Sequence, residues 1–228
     1  MKRKIIIIGG SKGIGNAIIN TLLPTFDVIN LSRSAPENFT NEIVHINCDV
    51  TIDELPEIDA ADHLIYCPGS INLKPISRLS VDDFQEDFNI NVLGAVKAIK
   101  KYLPILKNGN HPSILLFSTV AVKLGMPFHA SIATAKAGIE GLTKSLAAEL
   151  APTIRINAIA PTVTNTSLAA KLLRNEKSME QMKERHPLKK YLEPEEVASM
   201  ASFLISEQAA SITGQIFEMD CGLVNVKV

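Results

Sequence analysis

The sequence predicts an α/β fold, with a doubly wound parallel sheet of about seven strands covered on both faces by helices. Three observations carry this expectation. Short β-branched runs alternate with helix-length segments from end to end. The first run stops at Gly9-Gly10 and passes straight into a helical pattern. The chain of 228 residues, 46% of them hydrophobic, shows no internal repeat, low-complexity tract or Pro/Gly-rich linker, so residues 1–228 are expected to form a single domain.

Residues 4–8 are a lysine and four isoleucines, the continuous apolar pattern of a strand buried on both faces. Residues 13–23 then predict a helix ending at Pro24. Further strands are expected at 27–32, 42–47, 63–67, 113–118, 155–160 and 215–219, with helices at 81–103, 129–150 and 194–206. The least patterned stretch, 165–192, is charged and rich in Met and Lys. It follows a strand end, and is expected to be a flexible loop covering a substrate. In the helix 129–150, Ile139, Leu142, Leu146 and Leu150 make one apolar stripe, while Ala133, Ala137, Gly141 and Ala148 make a small-residue stripe. One stripe suits the sheet; the other allows close approach of a neighbouring helix.

Charge and cysteine content narrow the classes. Lys and Arg total 23 against 24 Asp and Glu, so no broad basic field exists for nucleic acid or an anionic membrane. The basic start Met1–Lys4 precedes only four apolar residues, short of the roughly 7–15 of a signal-peptide core, and no run reaches the roughly 18–20 of a membrane span. Cys48, Cys67 and Cys221 contain no CxxC pair, so neither a disulfide framework nor a zinc site is expected. His45, His63, His111 and His186 lack metal-ligand spacing, and no metal is expected. A cytoplasmic protein is the plain expectation.

The glycine-rich stretch carries the first chemistry. Gly9-Gly10-Ser11-Lys12-Gly13-Ile14-Gly15 lies directly after the first strand and opens the first helix. Glycines there permit a tight turn and let a pyrophosphate reach backbone N–H groups at the helix N-terminus. Strand before, helix after and an N-terminal position make this a dinucleotide site of a three-layer Rossmann fold.

The spacing G-x-x-x-G-x-G resembles that of the short-chain dehydrogenase/reductase family, with Ile8 where a threonine is usual. Other resemblances follow in the family's order. Cys48-Asp49-Val50 matches the adenine-holding segment, which implies Asp49 and Val50 as cofactor contacts. Tyr66-Cys67-Pro68-Gly69 stands where the family has N-N-A-G and keeps Gly69. Asn89-Ile90-Asn91-Val92 resembles the helix of the catalytic asparagine, implying Asn91, and Ala135-Lys136-Ala137-Gly138 implies Lys136 as the lysine. Asn157–Pro161 matches the stretch before the nicotinamide loop, with Thr162 where glycine is usual and Thr166 in the carboxamide-contacting place. Ile212-Thr213-Gly214-Gln215 and Asp220-Cys221-Gly222 resemble the closing T-G-Q and D-G-G. The resemblance implies Gly9, Ser11, Lys12, Gly13, Ile14, Gly15, Arg33, Asp49, Val50, Gly69, Lys136, Pro161 and Thr166 as the cofactor site. It also implies a homodimer or homotetramer.

Charge bears on the choice of nicotinamide cofactor. The second strand ends Leu31-Ser32-Arg33-Ser34, without the carboxylate that binds a ribose 2′-OH. Arg33 and Lys12, with two hydroxyls, suit a 2′-phosphate, so NADP(H) is expected over NAD(H).

One position departs from the family. Four residues before Lys136 the family has its catalytic tyrosine, and this chain has Ile132, which donates no proton. The carbonyl-polarising serine falls on Thr119, which retains a hydroxyl. Losing a general acid typically costs about 10²–10⁴-fold in rate, roughly 3–5 kcal/mol. His129 shares a helical stripe with Ile132 and Lys136 and is one candidate donor, although one turn displaces it by about 5 Å; Tyr66 and Ser131 are others. Thr119, Lys136, Asn91 and His129 are thus the candidate catalytic set of an NADP(H)-dependent oxidoreductase acting on a small carbonyl or alcohol. The alternative is a non-catalytic NADP(H)-binding sensor or scaffold; a lyase or isomerase step in the same pocket is a third reading.

Overall fold

The structure, a computed structural model, describes residues 2–227. Its strands are β1 (Arg3–Ile8), β2 (Phe26–Ser32), β3 (Ile43–Asn47), β4 (His63–Tyr66), β5 (Ser113–Phe117), β6 (Arg155–Pro161) and β7 (Ile216–Met219). They form one sheet in the order β3-β2-β1-β4-β5-β6-β7, and every neighbouring pair is parallel. The order reverses between β1 and β4, and there the loops leaving the two strands diverge and open a crevice at their carboxyl ends.

The described residues form six α-helices: α1 (Gly13–Leu22), α2 (Val81–Phe88), α3 (Gly94–Leu106), α4 (Ala130–Leu150), α5 (Glu176–Arg185) and α6 (Pro194–Ile205); α1 and α6 cover one face of the sheet, α3 and α4 the other. Alternation along β1 divides the core. Ile6 and Ile8 pack with Ala98 and Tyr102 of α3 and Ile139 of α4, while Ile5 and Ile7 pack with Ile18 of α1 and Val197 and Ala201 of α6. A parallel strand covered on both faces needs apolar side chains at every position, which is why β1 reads as an unbroken isoleucine run.

Two expectations need correction. The helix expected over 81–103 is α2 and α3 joined by a π-helical turn, Asn89–Leu93, and it runs on to Leu106. The Gly94 N–H reaches back to the Asn89 carbonyl, while the Ile90 carbonyl accepts a hydrogen bond of 2.5 Å from the Tyr66 hydroxyl of β4. The wider turn is thus tied to the sheet by a side chain distant in sequence. Segment 165–192, expected as a flexible loop, carries a 3-10 turn at Ser167–Ala169 and the helix α5, capped by Asn175 accepting from the Ser178 N–H. Leu173, Met182, His186 and Leu192 are buried. His186 Nδ1 meets the Met182 carbonyl at 2.7 Å and its Nε2 meets Thr162 Oγ1 at 2.8 Å. A carbonyl only accepts, so Nδ1 carries the proton and Thr162 donates.

On α4, Ile139 and Leu150 are buried with Leu142 and Leu146 partly so, whereas Ala137, Gly141 and Ala148 of the small-residue stripe are exposed and Ala133 is half-buried. No described helix is long and apolar enough to cross a membrane.

The π-turn supplies a stability test. A β-carbon at Gly94 would overlap the Tyr66 hydroxyl. Gly94→Ala is therefore expected to destabilise the fold by about 1–3 kcal/mol in guanidinium unfolding, as overpacking does. Combining it with Tyr66→Phe should recover part of the loss; strictly additive costs would contradict the proposed packing.

Candidate functional site

Two adjoining cavities lie at the carboxyl ends of the strands. The larger, about 350 Å³, is lined by the glycine loop (Gly9, Ser11, Lys12, Gly13, Ile14, Gly15), by Leu31, Ser32 and Arg33 after β2, by Cys48–Thr51 after β3, and by Cys67, Pro68, Gly69 and Thr166. Gly9, at φ +80°, makes the turn out of β1, and a β-carbon at Gly15 would overlap the Gly9 carbonyl. The loop must therefore stay narrow. Lys12 caps α1 without a side-chain hydrogen bond and no acidic residue occupies the first turn, so no anionic side chain competes at the positive end of the helix.

Asn30, inside β2 and fully buried, was not singled out by its sequence. Its Oδ1 accepts from the Gly10 N–H at 3.0 Å and its Nδ2 donates to Ser32 Oγ at 2.8 Å, tying the loop to the second strand. A polar residue amid the apolar run of a covered strand is the signal that marks it.

At the open end, the Arg33 side chain is 82% exposed and its guanidinium stands 3.9 Å from Asp49 Oδ2. The Thr51 hydroxyl and amide bond to Asp49 Oδ1 at 2.5 and 2.9 Å, and they hold its carboxyl below the usual carboxylate range. Val50 is buried beside it.

The smaller cavity, about 180 Å³, shares Ile14, Cys67, Gly69, Thr166 and Leu168 with the first. Thr119, His129, Ile132, Lys136 and Pro161 line it together with an apolar wall that includes Ile71, Leu73, Val163 and Leu172. Lys136 is 8% exposed, and its Nζ donates to the Phe117 carbonyl at 2.8 Å. Burial lowers its pKa to about 8, against the opposing pull of Cys67 and Asp87. Burial likewise pushes the Cys67 thiol up to about 12. Thr119 Oγ1 accepts from the Ala121 N–H at 3.3 Å and lies 3.5 Å from the Pro161 carbonyl, so its hydroxyl is held only loosely.

Asn91 lies behind this pocket, 1% exposed, with Oδ1 buried and unpartnered among the described residues. A β-carbon at Gly69 would lie 3.3 Å from that oxygen and 3.5 Å from Lys136 Nζ, so the two polar atoms flank one point. His129 is half-buried at the rim. Its Nδ1 is 2.8 Å from the Pro127 carbonyl, which leaves Nε2 as the ring nitrogen without that bond. It precedes α4 but makes no side-chain cap.

The two weaker donor candidates are turned away. Tyr66 is 2% exposed, its hydroxyl is given to Ile90, and burial raises its pKa well above the usual tyrosine value. Ser131 is 1% exposed and donates to Asp87 Oδ2 at 2.5 Å, toward α2 and away from the pocket. Both are bound by acceptors that the sequence order does not bring near. None of the chain's three tyrosines lines either cavity.

These features fit a dinucleotide: a helix terminus without a side-chain cap for phosphate, a polar opening at Arg33, and an unsatisfied amide oxygen behind Gly69, the residue at which the cavities meet. No group of three or more metal-ligating side chains occurs among the described residues.

The buried lysine makes a stability prediction. The unfolded chain keeps this proton up to about pH 10.5 and the folded chain releases it near pH 8. Stability therefore rises across that window, and the cost of burying the charge is fully present below it. Lys136→Met is expected to stabilise the cofactor-free protein by about 1–3 kcal/mol at pH 7. The gain should shrink by pH 10 in guanidinium unfolding; a gain independent of pH would contradict a charged Lys136.

Comparison with known proteins places the chain in a family. The family described as enoyl-(acyl carrier protein) reductase matches residues 36–224. The 3-oxoacyl-(acyl-carrier-protein) reductase FabG of Rickettsia felis is 30% identical over 238 residues, covering 97% of this chain and 96% of its own. Ligand-free aldohexose dehydrogenase of Thermoplasma acidophilum superposes with a TM-score of 0.89 at 27% identity, over 100% of this chain and 97% of that one. ElxO with NADP bound gives 0.89 at 26% identity, over 99% of this chain and 100% of that one. With the parallel sheet, the glycine loop and the Lys136 pocket in the places described, the chain belongs to the short-chain dehydrogenase/reductase family of oxidoreductases.

Proposed function

We propose that the chain is an NADP(H)-dependent oxidoreductase acting on a small carbonyl or alcohol compound with an apolar substituent. The observation that carries this reading is the junction of the two cavities. A glycine-lined cleft opens, through Cys67 and Gly69, onto a small apolar pocket that holds a buried amine and a loosely bound hydroxyl. The NADP-bound ElxO structure, alike over the whole chain, supports the cofactor class.

In this reading Gly9, Ser11, Gly13, Ile14 and Gly15 hold the pyrophosphate against the backbone N–H groups of α1. Arg33 and Lys12 take the 2′-phosphate, Asp49 and Val50 the adenine, and Gly69, Lys136, Pro161 and Thr166 the nicotinamide half. The bound dinucleotide supplies or accepts the hydride. Thr119 Oγ1 donates to the substrate oxygen, and Lys136 Nζ, its pKa lowered to about 8 by burial, is the buried proton-bearing atom of the pocket. His129 at the rim offers a second route for that proton through water. Ile132 fills the place of the family's tyrosine and makes the pocket more apolar. The exposed Ala137, Gly141 and Ala148 of α4 present the face of a homodimer or homotetramer.

A second reading, a non-catalytic NADP(H)-binding protein, is favoured by one observation: no tyrosine lines either cavity. Fluorescence titration with NADPH and NADH, followed by turnover against a panel of carbonyl compounds, separates the two. The enzyme reading expects tighter NADPH binding and turnover that Thr119→Val lowers by about 10²-fold or more. Binding without turnover supports the second reading, and binding of neither nucleotide contradicts both. Arg33→Ala should weaken NADPH by about tenfold and NADH by under about twofold, as loss of a charge-assisted phosphate contact does; an equal loss for both would refute the assignment of Arg33.

A further inference from the structure

A buried carboxylate stands behind the pocket without lining either cavity. Asp87, near the end of α2, is 1% exposed. Ser70 Oγ donates to its Oδ1 and Ser131 Oγ to its Oδ2, each at 2.5 Å. A carboxylate has no hydrogen to give, so Ser70 commits its only proton to Asp87. Ser70 Oγ then accepts from Asn91 Nδ2 at 3.0 Å, and the other Nδ2 hydrogen goes to the Asp87 backbone carbonyl at 2.7 Å. With both amide hydrogens engaged, the unpartnered Asn91 Oδ1 is the atom left to face Lys136.

We propose that Asp87 is a positioning residue: through Ser70 it fixes the Asn91 amide with its oxygen toward Lys136, and so presents an acceptor to the buried ammonium. A neutral hydrogen-bonding residue at this position would let Ser70 point its proton at Asn91 and leave the amide held only by its bond to the backbone carbonyl of residue 87. The inference rests on the reading of the Lys136 pocket as the place of proton transfer. The other groups facing Lys136 do not replace this acceptor. Cys67, after β4, is a neutral thiol at physiological pH, pushed up to about 12 by burial. Glu140, one turn along α4, accepts from Ser118 Oγ at 2.7 Å. His129 sits across the pocket at the rim. The pull of Cys67 and of the Asp87 charge opposes the desolvation that lowers the Lys136 pKa.

The test needs neither cofactor nor substrate. Lysine side chains are isotope-labelled and titrated by NMR, the Lys136 signal being identified by its disappearance in Lys136→Arg. The wild-type midpoint is expected near 8. Asp87→Asn should move it acidward by about 1 pH unit, and Ser70→Ala, which keeps the carboxylate but removes one of the two bonds holding the amide, by about 0.5. Midpoints unchanged within about 0.2 in both folded variants would overturn the proposal. A shift in Asp87→Asn alone would also overturn it, because the charge would then act without Ser70. If Asp87→Asn fails to fold, Ser70→Ala decides alone. A shifted lysine with no turnover on the carbonyl panel would sink the proposed activity and leave the positioning intact.

Discussion

Lys136 carries an ammonium group into a place where water scarcely reaches, and much of the local architecture answers that constraint. A buried charge is tolerated only where oxygen atoms replace its hydration. One such oxygen is the Phe117 carbonyl, at the end of β5, which accepts from Lys136 Nζ at 2.8 Å. The amide oxygen of Asn91, left without a partner among the described residues, is carried toward the same place by the π-helical turn between α2 and α3. That turn is held to the sheet by Tyr66, whose hydroxyl takes the Ile90 carbonyl. The sheet order, the widened turn and the hydroxyl chain to Asp87 are thus parts of one arrangement around a single amine.

The glycine loop is a complementary case, built around missing partners. It is held by its neighbours on the inside, through Asn30 to Gly10, and it has no side-chain cap on the outside. Backbone N–H groups at a helix terminus left this way form a site for anionic oxygen. The two cavities share five lining residues, so a ligand seated on the loop reaches toward Lys136 without a rearrangement of the strands. Ile132 sets part of the character of the second cavity. On the helix face that also carries Lys136 it presents a buried hydrocarbon side chain, which lines the pocket together with Ile71, Leu73, Val163 and Leu172.

Most of this was legible in the residues because it is local. The strands follow from β-branched runs, the tight turn into α1 from glycine spacing, and the Lys136–Ile132 relation from a helical repeat of about four residues. What the sequence concealed depends on non-local partners. Tyr66 and Ser131 read as free hydroxyls until the fold supplies Ile90 and Asp87 as their acceptors. Asp87 itself reads as one more charge on a solvated helix, although its place one turn before Asn91 puts the two on the same face. Helix α5 leaves no amphipathic signal in the sequence, because Met182 is its only buried side chain and one buried residue makes no period. Asn30 was overlooked within a strand whose other features are those of a covered β-segment.

Hydrogen exchange with and without NADPH tests the central claim most directly, because it reads the backbone of the glycine loop. The account predicts that the amides of residues 13–15 become protected on binding, together with residues near Cys67 and Gly69 where the cavities meet. Protection confined to other parts of the chain, with the loop amides exchanging as before, would contradict it.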